Sequence, residues 1–422
     1  MSPKKIPINL WNLVSPIAKT FDLMSPPLAE HGQRVAYLAM RLGEELDLPA
    51  WKRRELAIAG ALHDIGAFSL KERLDLLDFE TTDAGRHPRV GHLLLRRFPP
   101  FERIAQVVRY HHQFWQHGRG DTCDGEPVPE GSHLLHLADR IAVLIRKEAA
   151  VLGQVPEIRD SILSRKGEWF APPFVEAFLR LAERDYVWLE ITSGAMETAL
   201  MRALGMETIE TDVEGLLGFS RLVCRIIDFK SEFTATHSSG VAATGRALAS
   251  RIGFSRQECT MFEIAAYLHD LGKLAIPSEI LEKKGRLTDD EWSVMRTHVY
   301  FTYQILNPIE VLDVVSSWSS LHQERLNGSG YPFHYTAEEL PLGARVMAVA
   351  DVFTGITEDR PYRKGMGREQ ALGVLRGMAE SRELDPGLVE LLTRNFEEID
   401  RARAAAQREA VREYREVREA LG

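Results

Sequence analysis

Three cysteines in 422 residues, Cys123, Cys224 and Cys259, are too few and too far apart for a disulfide framework or a CxxC metal site. They fit a chain kept reduced, so the cytoplasm is its expected location. Long hydrophobic runs are also missing. No stretch reaches about 18 apolar residues, and the charged opening MSPKKIPINLWNLVSPIAK holds no apolar segment of signal-peptide length, so neither export nor contact with a membrane is expected. A basic excess is absent too, because 52 Lys and Arg stand against 61 Asp and Glu for a formal charge of −9. That balance argues against a nucleic-acid polymer as partner and makes any phosphate contact local. Alternating apolar and polar runs, the mark of half-buried strands, are scarce.

What the chain does have is helical periodicity. Apolar residues recur every three or four positions through HGQRVAYLAMRLGEEL, SGVAATGRALASRIG and HLLHLADRIAVLIRKEAAVLG, and breakers such as FPPFE, GDTCDGEPVPEGS and LNGSGYPF separate these stretches. The expected fold class is all-α. The length exceeds what one core sustains, which predicts two domains.

An internal repeat supports that division. His31 precedes the pair His63-Asp64 by 32 positions, and His237 precedes His269-Asp270 by the same 32. His87 then stands 24 positions before His111, as His298 does before His322. Each series ends on an aspartate in an apolar helical stretch, Asp139 in HLADRIAVL and Asp351 in MAVADVFTGI. The ends GEWFAPPFVEAFLRL and SRELDPGLVELLTRN also correspond, so the boundary is expected near ETIETD, giving domains 1–208 and 209–422 as divergent copies of one helical bundle. From about Glu397 the chain is rich in opposite charges at i,i+4 spacing, which reads as a solvated terminal helix or as one that forms a homodimer.

Repeated His and Asp in one order point to metal chemistry. A carboxylate can bridge two cations while an adjacent imidazole fills a terminal position on one. Such mixed donors suit Fe, Mn, Co, Ni or Zn better than magnesium. Two such ions clamp a phosphoryl group and lower the pKa of a bound water. His92, His117, His133 and His136 fall outside the repeat and are expected at the surface or behind the ligands.

The series His237, HDLGK at 269 to 273, His298, HQERLNGSGYP at 322 to 332 and Asp351 resembles the HD-GYP family over about residues 220 to 395. The tandem layout resembles cyclic dinucleotide phosphodiesterases with an extra HD domain in front. The resemblance implies HD-type helical bundles holding two or three metal ions, most often iron or manganese. It also implies cyclic di-GMP as substrate, opened to a linear dinucleotide by a metal-bound hydroxide. It makes His237, His269, Asp270, His298, His322 and Asp351 metal ligands, with Asp270 bridging and Lys273 facing the scissile phosphate, so that Asp270 and Lys273 carry catalysis. Tyr331, Arg360 and Arg363 would contact substrate, a role that suits arginine's planar donor fork.

The chain departs from the family pattern at three places. Gln323 stands where the family has a second histidine and would be a weaker ligand. Asn327 replaces an aspartate of the loop. Phe233 stands where three-metal members have a glutamate, which implies two ions per site.

In the first half His31, His63, Asp64, His87, His111, His112 and Asp139 form a full two-metal set that includes the paired histidines. Ala67 replaces the equivalent of Lys273 and no GYP loop follows His112, so this half is read as acting on another phosphoester, as a regulatory metal or ligand domain, or as structural. For the whole chain, cyclic GMP-AMP or another nucleotide is the alternative substrate, and a non-catalytic nucleotide or metal receptor is the rival from another class.

Overall fold

The computed structural model describes residues 6–22, 29–79, 86–146, 148–204, 209–230, 236–359 and 364–419. Phe233, Arg360 and Arg363 lie outside the described residues. Among those described, helices dominate and strands are confined to four pieces of two or three residues, so the fold is all-α. No described helix is long and apolar enough to cross a membrane. Contacts divide the described chain into two compact units, 8–209 and 210–419, with Ile6 and Pro7 counted in the second.

In the first unit the helix His31–Glu45 packs against Ala50–Leu62 and Glu130–Leu144. Val35, Leu38 and Leu42 are buried along it. The seam with Ala50–Leu62 is tight because Gly60 faces it: a Cβ there would stand 2.7 Å from the backbone nitrogen of Ala36. The helix Glu130–Leu144 is buried at every position from Gly131 to Ala142, so it has no solvent face to show as a polar stripe.

The second unit is built around the helix His237–Arg251, which packs against Arg256–Leu268, Leu342–Thr357 and Phe396–Glu419. Val241, Leu248, Phe262, Val346 and Phe353 form its core. Capping boxes, Ser255 with Glu258 and Thr288 with Glu291, start the helices Arg256–Leu268 and Asp289–Leu306 by satisfying backbone N–H groups that the first turn leaves open. The charged terminal helix is not simply solvated: Ile399, Arg403 and Gln407, four residues apart, form a buried stripe.

Candidate metal centres

In the second unit the repeated residues sit where helices end or cross. His237 opens its helix, His269 and Asp270 follow Arg256–Leu268, His298 lies in Asp289–Leu306, His322 follows Asp313–Ser320, and Asp351 lies in Leu342–Thr357. One device orients three of the histidines. Nδ1 of His269, His298 and His322 faces the carbonyl three residues earlier, that of Ala266, Met295 and Ser319, at 2.7, 2.6 and 2.6 Å. A carbonyl only accepts, so Nδ1 donates the proton, and Nε2 in the neutral ring presents a lone pair inward.

These inward atoms converge. One ligand atom each from His237, His269 and Asp351 lies within 4.8 Å of the others, and so does one each from His269, Asp270 and His322. His298 Nε2 is 3.5 Å from Asp270 Oδ1, and His237 Nε2 is 3.0 Å from Asp351 Oδ1. The helices approach this closely because Gly272 follows the His-Asp pair: a Cβ there would fall 1.9 Å from the His298 carbonyl oxygen.

The electrostatics favour bound cations. Burial drives the His298 pKa down to about 4 and that of His322 down to about 3, keeping both rings neutral. Burial also disfavours charge on Asp270, but His269 and Lys273 outweigh it and hold the carboxyl well below its usual range. Nε2 of His298 and of His322 is buried without a hydrogen-bond partner. Unpartnered imidazole lone pairs facing ionised carboxylates fit a divalent transition ion and little else.

Two residues at the rim take places the sequence did not assign. Lys273 Nζ rests 2.6 Å from Asp270 Oδ2, so its cation lies on the cluster's carboxylate. Gln323 donates from Nε2 to Asp351 Oδ2 at 3.0 Å, while its oxygen faces Arg325 Nη2 at 3.5 Å. In this arrangement the amide presents a donor to the cluster instead of the ligand oxygen expected of it.

The loop after His322 is pinned by Glu324, which is 1% exposed. Its carboxylate accepts from the backbone N–H groups of Phe333, His334 and Tyr335 at 2.7, 3.2 and 3.2 Å. Gly330 lets the loop lie against the chain below, since a Cβ would stand 2.4 Å from both Glu324 Cα and Arg325 N. Tyr331 is thereby brought beside the cluster, and burial raises its phenol to about 12.

The first unit repeats the scheme. His31, His63 and Asp64 form one group, and Asp64, His87, His111 and His112 form another, so Asp64 is shared. Nδ1 of His63 and His111 again faces a carbonyl three residues back, Gly60 and Val108, at 2.7 Å each. Gly66 plays the part of Gly272, since a Cβ there would stand 2.2 Å from the His87 carbonyl oxygen. Nε2 of His87 and Nε2 of His111 face each other at 3.2 Å, and Nε2 of His63 and His112 is buried and unpartnered. Two imidazole nitrogens so placed need a proton or a cation between them, and burial pushes His111 down to about 4, against the proton. This cluster fits a metal as well as the second does.

The differences are local. Ala67, fully buried, has no side chain to set a cation on the Asp64 carboxylate as Lys273 does on Asp270, and the buried Arg73 donates instead to the backbone carbonyls of Ala67 and Asp64 at 2.7 and 2.9 Å. Asp139 Oδ1 lies 3.2 Å from His31 Nε2, while Arg140 holds Oδ2 at 2.7 and 3.1 Å and also donates to the carbonyls of Leu76 and Asp78. His92, His133 and His136 are buried, not at the surface, and the His136 ring lies 6.0 Å from that of His112. His117 is exposed.

Two helical units that each gather buried histidines and aspartates into two groups with one residue in common, Asp64 in the first and His269 in the second, define a metal-binding class of protein. The chain matches the HD domain family over residues 17–153 and 221–388, and it belongs to that family. Its second half, with the GYP loop, is of the HD-GYP type. It is 27% identical over 410 residues, 93% of each chain, to 3'3'-cGAMP-specific phosphodiesterase 1 of Vibrio cholerae. Over 183 residues, 43% of this chain and 48% of the other, it is 36% identical to the cyclic di-GMP phosphodiesterase response regulator RpfG of Xanthomonas campestris. A solved structure of a cyclic GMP-AMP specific phosphodiesterase from V. cholerae shares the fold, with a TM-score of 0.63, 22% identity and coverage of 96% of this chain and 98% of that one.

Proposed function

We propose that the second half of this metal-dependent phosphohydrolase opens a 3'3'-linked cyclic dinucleotide to its linear form, and that the first half holds metal without that activity. The observation that carries this is the buried, unpartnered set of imidazole nitrogens around Asp270, with the Lys273 ammonium at its rim. His237, His269, Asp270, His298, His322 and Asp351 would hold two ions there, iron or manganese first, with nickel, cobalt or zinc compatible with the donors. Bound ions would supply Lewis-acid polarisation of the phosphate and an activated water.

The side chains supply the rest. Lys273 sets a positive charge where phosphoryl charge grows. Tyr331 borders the site, and Arg360 and Arg363 hold the ligand's phosphates in the same reading. The first half has the ligands but neither this lysine nor a GYP loop, which supports a regulatory role or action on a different phosphoester.

Relatives matched over less than half of the chain include cyclic di-GMP phosphodiesterases and one named for cyclic GMP-AMP. A relative matched over 93% of the chain and one matched over 65% are named for cyclic GMP-AMP, and this favours the mixed dinucleotide. A cytoplasmic location belongs to the same reading, supported by three free cysteines. The test is chromatography of products after anaerobic incubation of manganese- or iron-loaded protein with each cyclic dinucleotide. A linear dinucleotide from either one supports the reading. Turnover of neither overturns it in favour of a receptor.

A further inference from the structure

Trp292 is a large aromatic side chain left 47% exposed. It lies on Asp289–Leu306, the helix that also delivers His298. Its ring meets Tyr331 edge-on, with 6.3 Å between centroids and 81° between planes. One turn further along, the Arg296 guanidinium lies 4.5 Å from the centre of the Tyr331 ring. The Tyr331 edge holds the indole upright, and the cation caps the phenol face.

This group stands beside the metal centre for two independent reasons. Tyr331 leaves the loop that Gly330 seats against Gln323, Glu324 and Arg325, immediately after His322. Trp292 precedes His298 by six residues, about 9 Å along the helix axis and about a third of a turn around it, so it meets Tyr331 and not the ligands themselves. A nucleoside that leaves the cluster past Tyr331 would meet this indole next.

We propose that Trp292, supported by Tyr331 and Arg296, is the stacking surface for a purine base of the nucleotide whose phosphate sits at the second metal centre. The inference rests on the phosphodiesterase reading above for its substrate and adds a base-recognition residue to it. Stacking on an aromatic ring is tolerant of base identity, so the platform fixes where the base lies, not which purine it is.

The test is calorimetric binding of GMP and of ribose 5-phosphate to the manganese-loaded full chain, for the wild type, Trp292→Ala and Trp292→Phe. The wild type should bind GMP more tightly than ribose 5-phosphate. Trp292→Ala should weaken GMP about 5- to 150-fold, the range for loss of one base stack, and leave ribose 5-phosphate unchanged. Trp292→Phe should restore most of the loss, which a merely structural role would not do.

Equal binding of the two ligands by the wild type, unchanged GMP affinity in the alanine variant, or equal loss on both ligands overturns the proposal. Turnover of the cyclic dinucleotides by the same preparations separates it from the reading it rests on. Base-dependent binding lost in Trp292→Ala without turnover in the wild type refutes only the phosphodiesterase reading. Turnover with an unchanged KM in Trp292→Ala refutes only the platform.

Discussion

Replacing Glu358 by Gln keeps the shape of the side chain and removes its charge. Glu358 is 3% exposed, and both of its oxygens lie 3.2 Å from His237 Nδ1. Gln407 of the terminal helix donates to Oε2 at 3.0 Å and is itself bonded by Arg403. A carboxylate on the far nitrogen of a metal-ligating imidazole fixes the ring and raises its basicity. Losing one typically costs about 10- to 100-fold in metal affinity, or about 1.4–2.7 kcal/mol.

The same charge has an opposing effect through the proton. Burial opposes charge on His237, but Glu358 and Asp351 outweigh it and raise its pKa to about 10. In the metal-free protein a proton must therefore leave before Nε2 can bind an ion, so affinity should rise about tenfold per pH unit below about pH 10. Glu358→Gln lowers that pKa and flattens the slope. The deficit of the variant should be widest at the alkaline end and narrow toward pH 7. Manganese affinity measured by chelator competition at several pH values, in an Asp64→Ala background that silences the first centre, checks this. Affinities within twofold of wild type with parallel pH curves would refute the reasoning.

Gly272→Ala forces a Cβ to within 1.9 Å of the His298 carbonyl oxygen. The cost should lie at or above the upper end of the about 1–3 kcal/mol typical of overpacking, read as a lower melting temperature and lost metal in the second half. An unchanged melting temperature would count against the contact. Burial holds the Asp228 carboxyl well above its usual range, so the native state keeps this proton longer than the unfolded chain does. Stability is then lost as pH rises through the native pKa. Asp228→Asn should melt like wild type near pH 4 and higher than wild type at pH 8, and identical melting at both pH values would sink the idea. Lys273→Met should lower kcat on a cyclic dinucleotide about 10²- to 10³-fold with metal content unchanged. A loss of metal would instead make the lysine structural.

The histidine sets were legible in the sequence because they occur twice at fixed spacing, and each member occupies a helix end or crossing that the fold also repeats. Glu358 was not, because it has no counterpart: the residue equally far beyond Asp139 is Arg146. Gln407 lay in a run of charges whose i,i+4 pairs masked the buried stripe Ile399, Arg403 and Gln407. His133 and His136 were expected at the surface or behind the ligands. The helix that carries them, Glu130–Leu144, showed its apolar period in the sequence, but it is enclosed on all sides, so the positions between its apolar residues are buried too instead of forming a solvent face. Glu324 was visible as part of HQERLNGSGYP, but its task of gathering three backbone N–H groups exists only once the loop has folded over it. Gln323 could be placed near the metal set by position, whereas its donation to Asp351 depends on side-chain geometry that spacing does not encode.

The central claim is that phosphodiester cleavage belongs to the second metal centre. It is tested most directly by anaerobic hydrolysis of cyclic di-GMP and 3'3'-cyclic GMP-AMP with manganese or iron, comparing wild type, Asp270→Ala and Asp64→Ala. The account predicts that Asp270→Ala abolishes turnover while Asp64→Ala retains it. Loss with Asp64→Ala alone would contradict it and move the chemistry to the first half.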